Sequence, residues 1–200
     1  MKKGIVLMLA AWMIAGCIPC LYPIYTEKDI RYDPALLGTW SEEGDKPSWV
    51  FTEGENHSYR LVFTDGEDRV ATFTVHLVDV RGTQFLDLVP TEADIDLNEL
   101  LVWNLVPVHT FMRVDEIGPR LKLVFMDVDW LTQHLEKHPC VLKHHELEDE
   151  RILLTARTRA LRRFIFKHLK TEDAWCTDDA IELVRYEGDT APPETETRNE

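Results

Sequence analysis

The clearest pattern in the chain is the alternation from Val70 to Val80. Val70, Thr72, Thr74, His76 and Val78 fall on one side, and Ala71, Phe73, Val75 and Leu77 on the other. A period of two marks a strand with two distinct faces. Shorter runs flank it at hairpin spacing: Gly38-Thr39-Trp40, Trp49 to Thr52, Tyr59 to Thr64, Phe85 to Val89, Thr110 to Val114, Leu121 to Met126, Ile152 to Ala156 and Ile181 to Arg185. Turn signals separate several of them, including Asp65-Gly66, Arg81-Gly82 and Gly118-Pro119. Eight or nine short strands linked mostly as hairpins predict a mainly β domain, an antiparallel barrel of about eight strands or, alternatively, a β-sandwich.

Periodicity changes to helical in a few places. Asp33 to Leu37 reads as a short helical turn before the first strand. Asp129 is placed to cap a helix from Trp130 to Lys137. Thr158 is placed to cap another, to about Lys170, with Leu161, Phe164, Ile165 and Leu169 on one face. Acids at Glu92, Asp94 and Asp96 precede the apolar stretch Leu97, Leu100, Leu101, Val102, Trp103 and Leu105. Left in water, that stretch would be a patch soluble proteins rarely tolerate. It either closes a barrel mouth as a lid, leaving Trp103 for a ligand, a lipid surface or a partner, or it packs into the core.

The amino-terminal segment is of another kind. Lys2 and Lys3 precede an uncharged, mostly apolar run from Gly4 to Gly16, the layout of a secretory signal. Pro19 and Pro23 interrupt any continuation as a membrane-spanning helix. Ile14-Ala15-Gly16-Cys17 resembles the lipobox of bacterial lipoproteins. That resemblance implies cleavage before Cys17 and lipid on its sulfur. It also implies attachment to a membrane of the cell envelope. Ile18, in place of an aspartate, points to the periplasmic face of the outer membrane where there are two membranes. The expected organisation is a signal over 1–16, a lipid-anchored tether over 17–30, one domain over 31–187 and a polar, disordered tail over 188–200.

Composition narrows the partners. The chain carries 22 basic and 36 acidic residues, a net charge of −14. Loss of residues 1–16 removes Lys2 and Lys3 and no acid, leaving 20 against 36, or −16. A field of that sign repels nucleic-acid phosphates and disfavours flat adsorption on anionic lipid. Hydrophobic content of 44% with six tryptophans supports a real core.

Leu37-Gly38-Thr39-Trp40 resembles the Gly-x-Trp signature of lipocalins and related small barrels. In that family the tryptophan plugs one end of the barrel after a short helical turn, and a basic side chain late in the fold packs over it. The resemblance implies a buried Trp40 with Arg185, on the last strand, across its ring. Helices inserted before the last strand depart from the family, which normally places its helix after the barrel.

Candidate chemistry is sparse. His134 and His138 share a helix face, with Cys140, His144 and His145 nearby, a set that could hold zinc if a third ligand joined the pair. Residues 135–137 read Leu-Glu-Lys, so the His-Glu-x-x-His pattern is missing, and half-buried histidines without metal are the plainer reading. Cys140 and Cys176 either pair in an oxidising compartment or stand as separate buried thiols. Arg157, Arg159, Arg162, Arg163, Lys167 and Lys170 make one basic helix, read first as a solvated face. No catalytic or cofactor-binding signature occurs. The sequence therefore predicts a non-catalytic envelope module without cofactor, with three readings. It binds a small apolar ligand in the barrel mouth, or it has a filled barrel and docks an envelope protein, or, least favoured, it is a metal-dependent hydrolase. Phe73, Phe85, Phe111 and Phe125 all pointing inward would mark a filled barrel.

Overall fold

The computed structural model of the chain describes residues 17–46, 48–91, 98–147 and 151–187. The expected signal, the tail and Leu97 lie outside them. The strands are β1 (Ile30–Arg31), β2 (Gly38–Ser41), β3 (Trp49–Glu53), β4 (Tyr59–Thr64), β5 (Val70–Val80), β6 (Thr83–Pro90), β7 (Thr110–Ile117), β8 (Arg120–Val124), β9 (His144–Glu146), β10 (Ile152–Leu154) and β11 (Ile181–Arg185). The helices are α1 (Glu99–Val102), α2 (Val128–Lys137) and α3 (Thr158–His168).

Strands β2 to β8 form an antiparallel meander, and β11 closes it by pairing with both β8 and β2. The result is a closed eight-stranded barrel, not a sandwich, with β1 added along β5. Hairpin chemistry sets the register. Val80 pairs with Thr83, leaving Arg81 and Gly82 as a two-residue turn with φ of 55° and 88°. Two positive φ values are what a type I′ turn requires, and glycine meets the second at no steric cost.

The alternation of β5 acts as its period predicts. Phe73, Val75 and Leu77 face the barrel interior, while Val78 and Val80 face outward. The interior is filled by Leu36, Trp40, Trp49, Phe51, Tyr59 and Leu61 at one side and by aliphatic side chains of β5 to β8 and β11 at the other. Phe73 and Phe125 pack at the edge of this cluster, but Phe85 and Phe111 point out of the barrel. They do so because β6 and β7 are covered on both faces.

That outer cover is a second core. The excursion between β8 and β11 folds α2, α3 and the β9–β10 pair back over the barrel wall, with Leu131, Leu135, Phe164, Ile165 and Trp175 buried against Val78, Phe85, Phe111 and Val124. Asp127, rather than Asp129, caps α2, its carboxylate accepting from the Trp130 amide at 2.6 Å. Arg157, rather than Thr158, is the N-cap of α3.

The segment expected to be a tether is part of the same core. Ile18, Cys20 and Ile24 are buried at 5% exposure or less. Cys20 exchanges backbone hydrogen bonds with His109, and Pro19 and Leu21 bond to Leu154. Pro19 and Pro23 stop a helix, but the apolar Ile18, Cys20 and Ile24 around and between them let an extended segment lie on an apolar wall. Asp29 then ties the segment to α3 through an ion pair with Arg162. Burial alone would raise the Asp29 pKa, but the bonds from Arg162 and Thr26 outweigh it and hold the carboxyl below its usual range.

Candidate functional site

Four places could carry function: the plugged barrel end, the polar cluster under the amino-terminal segment, the histidine group on α2 and α3, and the apolar excursion between β6 and β7.

At the plugged end, Trp40 is fully buried and its indole N–H donates to the Leu36 carbonyl at 2.9 Å. The Arg185 guanidinium lies 4.4 Å from the centre of its ring and donates to the carbonyls of Leu37 and Ala35. Asp33 caps the short helical turn Pro34–Leu36 that presents those carbonyls. These contacts are made from within the fold, so this end is a plug built into the barrel, with the outer side of Arg185 left to solvent.

The polar cluster centres on Asp87, which sits in β6 and is fully buried. Its two oxygens accept from the Ile24 amide at 2.9 Å and face His109 Nδ1 at 2.6 Å. Across the pair from it, His76 Nδ1 lies 3.0 Å from the Tyr25 hydroxyl. Burial, then the Asp87 charge, pushes Tyr25 up to about 12. Burial, then His109, lowers His76, although Asp87 opposes this. Both groups are thus neutral at pH 7. Tyr25 and His76 also line an open cleft of about 710 Å³ with Glu27, Arg31, Tyr32 and His57. The cluster resembles an acid–base arrangement but lacks a nucleophile. The Cys20 thiol is aimed at the Ile18 carbonyl, and burial and then Asp87 push its pKa far up, so the reactive thiolate does not form. The cluster's evident work is to fasten residues 18–30 to the barrel. The sequence carried one signal of it, a lone aspartate inside the apolar strand Phe85-Leu86-Asp87-Leu88-Val89.

The histidines regroup. His134 and His138 do share a face, with ring centres 5.0 Å apart, but their third neighbour is His168 of α3, 4.7 Å from His134. His144 instead bonds the Leu142 carbonyl through Nδ1, and His145 is exposed in β9. Among the described residues no group of three or more His, Cys, Asp or Glu side chains is arranged to hold a metal. The group is an aromatic pack with Trp130 and Phe164. Burial, then His134 and Lys167, lowers His168 to about 4. The unfolded chain, with a histidine pKa near 6.5, therefore takes up this proton first. Stability should be level above about pH 6.5 and fall as pH drops toward 4. Urea midpoints at pH 7.5, 6 and 5 check this, and His168→Leu should flatten the slope. An unchanged slope would show that His168 does not carry it.

Cys140 and Cys176 do not pair. Cys140 is exposed after α2, while Cys176 holds to Asp127 at 3.5 Å, with its amide on the Phe125 carbonyl. Burial, then Asp127, raises the Cys176 pKa to about 11, so this thiol is unreactive as well. On α3, Arg162 is engaged by Asp29, so one basic residue of the helix is tied inward, and Arg81 of the β5–β6 turn lies over the Phe166 ring.

The apolar excursion is neither core nor a closed lid. Asn98 caps α1, and none of its residues is buried. Leu100 is 74% exposed, Leu101 47%, Trp103 86% and Val106 65%.

No family model, no curated protein and no solved structure matches the chain. Among the described residues no helix is long and apolar enough to cross a membrane.

Proposed function

We propose that this chain is a lipid-anchored protein of the bacterial cell envelope, held through Cys17, whose lipocalin-like barrel works as a structural and protein-interaction module and not as an enzyme. The observation that carries the second half is the filled interior. Trp40, Phe51, Tyr59, Leu61, Leu77 and Leu121 are all fully or almost fully buried inside the ring of strands. Packing of that kind leaves an apolar ligand nothing to occupy unless core side chains leave. The Gly38, Trp40 and Arg185 arrangement supports the kinship with lipocalin-like barrels. The signal-like segment ending at Cys17, which is exposed, supports anchoring. The reading places the protein on the outer membrane, facing the periplasm, where two membranes are present.

Two measurements test it. Cys17→Ser should abolish incorporation of labelled fatty acid and leave uncleaved precursor; label retained in the variant would overturn the anchor. Mass spectrometry of the protein purified from envelopes should find no lipid in stoichiometric amount beyond that on Cys17. A stoichiometric apolar ligand would restore the carrier reading.

A further inference from the structure

The excursion between β6 and β7 exposes Leu100, Leu101, Val102, Trp103, Leu105 and Val106, with Glu99 as the charge in the described stretch 98–107. A contiguous apolar surface of that kind calls for something to cover it. Its position relative to Cys17 identifies what does. The excursion ends at His109, and His109 exchanges both backbone hydrogen bonds with Cys20. Cys17 lies three residues from Cys20, and Val106 three residues from His109. At roughly 3.3–3.6 Å per residue, plus one strand spacing of about 5 Å, Val106 lies no more than about 27 Å from Cys17. The first core residue, Ile18, directly follows Cys17, so no flexible linker separates the anchor from the barrel.

We infer that the 98–106 tip is a second membrane contact, entering the lipid surface beside Cys17. The inference takes its bilayer from the anchoring of Cys17 proposed above. A single chain anchor with a flexible tether would let the domain tumble. Here the anchor is rigidly joined, and a second insertion point fixes how the barrel stands on the membrane. The side chains fit that occupant. Aliphatic groups suit the acyl boundary, and an exposed tryptophan suits the headgroup level. Insertion by apolar side chains also fits the form beginning at Cys17, with 20 basic and 36 acidic residues (−16), which is repelled by anionic lipid and so cannot dock by charge. The contact should therefore form on zwitterionic vesicles and resist added salt.

The test uses the full chain, purified from envelopes and reconstituted with phosphatidylcholine vesicles whose acyl chains carry bromine, a quencher of tryptophan. The wild type should show quenching that persists at high salt, and Trp103→Phe should lose that quenched fraction while keeping its melting temperature. Equal quenching in the two proteins would overturn the inference. So would light scattering that shows a dimer in solution which Trp103→Asp converts to monomer, because a second copy would then cover the tip. Fatty-acid labelling of the same preparation keeps the two readings apart. Label on Cys17 without Trp103-dependent quenching sinks the tip alone; quenching without label sinks the anchor and leaves the tip standing.

Discussion

Replacing Asp87 with alanine is expected to cost about 3–5 kcal/mol and to release the amino-terminal segment from the barrel. The carboxylate is 1% exposed and its partner His109 is 16% exposed, so the contact is shielded from water. The carboxylate accepts from two shielded donors, the Ile24 amide and His109 Nδ1, and stranding each costs about 1–3 kcal/mol, which together reach that magnitude. The first of these donors lies in the buried amino-terminal segment, since Ile24 is fully buried. Two readouts separate the global from the local effect. Urea denaturation should give the full loss, and amide exchange at Cys20, Ile24 and His109 should speed up ahead of the barrel strands. Asp87→Asn keeps an acceptor for one of the two donors and should cost about 1–3 kcal/mol. An Asp87→Ala protein within 1 kcal/mol of wild type would mean that the segment is held by Ile18, Cys20 and Ile24 alone.

The same contact bears on function. Under the anchoring proposed above, lipid on Cys17, which joins directly to the buried Ile18, would pass the membrane's position to the barrel. If Asp87 is lost, Cys17 would hang on a free strand and the tip at 98–106 would no longer be held near the bilayer. Asp87→Ala in the vesicle experiment should therefore lower the Trp103 quenching even though Trp103 is unchanged.

How much of this was legible in the sequence depended on whether a residue's neighbours were close along the chain. The alternation of β5 and the Arg81-Gly82 turn follow from local pattern, whereas Arg185 over Trp40 is what the resemblance to lipocalin-like barrels implies. The barrel itself followed from strand number and hairpin spacing. The second core outside the barrel accounts for the packed segment at 18–30, the regrouped histidines and the outward Phe85 and Phe111. An isolated barrel would put Phe85 and Phe111 inside, whereas a wall covered on both faces has room for them outside. The prolines at 19 and 23 read as a linker because the surface they lie on is built by residues more than 60 positions away, as the contact of Ile24 with Asp87 shows. His168 joined His134 for the same reason: two helices had to dock before the group existed. The stretch from Leu97 to Leu105 is too apolar for water on its sequence alone, but whether its described part turns inward or outward rests on packing that no periodicity encodes.

The plugged end should respond most sharply to Trp40. Trp40→Ala removes the largest fully buried side chain of the interior and is expected to cost about 3–5 kcal/mol, with the melting temperature falling accordingly. Arg185 adds a smaller, separable share. Its guanidinium is exposed to solvent on one side, so the cation over the indole should contribute about 0.5–1 kcal/mol, and its bonds to the Ala35 and Leu37 carbonyls a comparable amount. A double-mutant cycle of Trp40→Ala and Arg185→Ala isolates the ring contact, because the carbonyl bonds survive in the Trp40 single variant. Gly38 completes the set. It holds φ of +118°, and a Cβ there would stand 2.9 Å from Arg185 Nη1, so Gly38→Ala meets backbone strain of about 1–3 kcal/mol and must also displace the guanidinium. If the three residues form one plug, Gly38→Ala should abolish most of the Trp40–Arg185 coupling energy. Coupling that stays the same in the Gly38→Ala background would show that the arginine reaches the ring without the close approach that glycine permits, and the plug would then be a tryptophan packed in a barrel with an incidental neighbour.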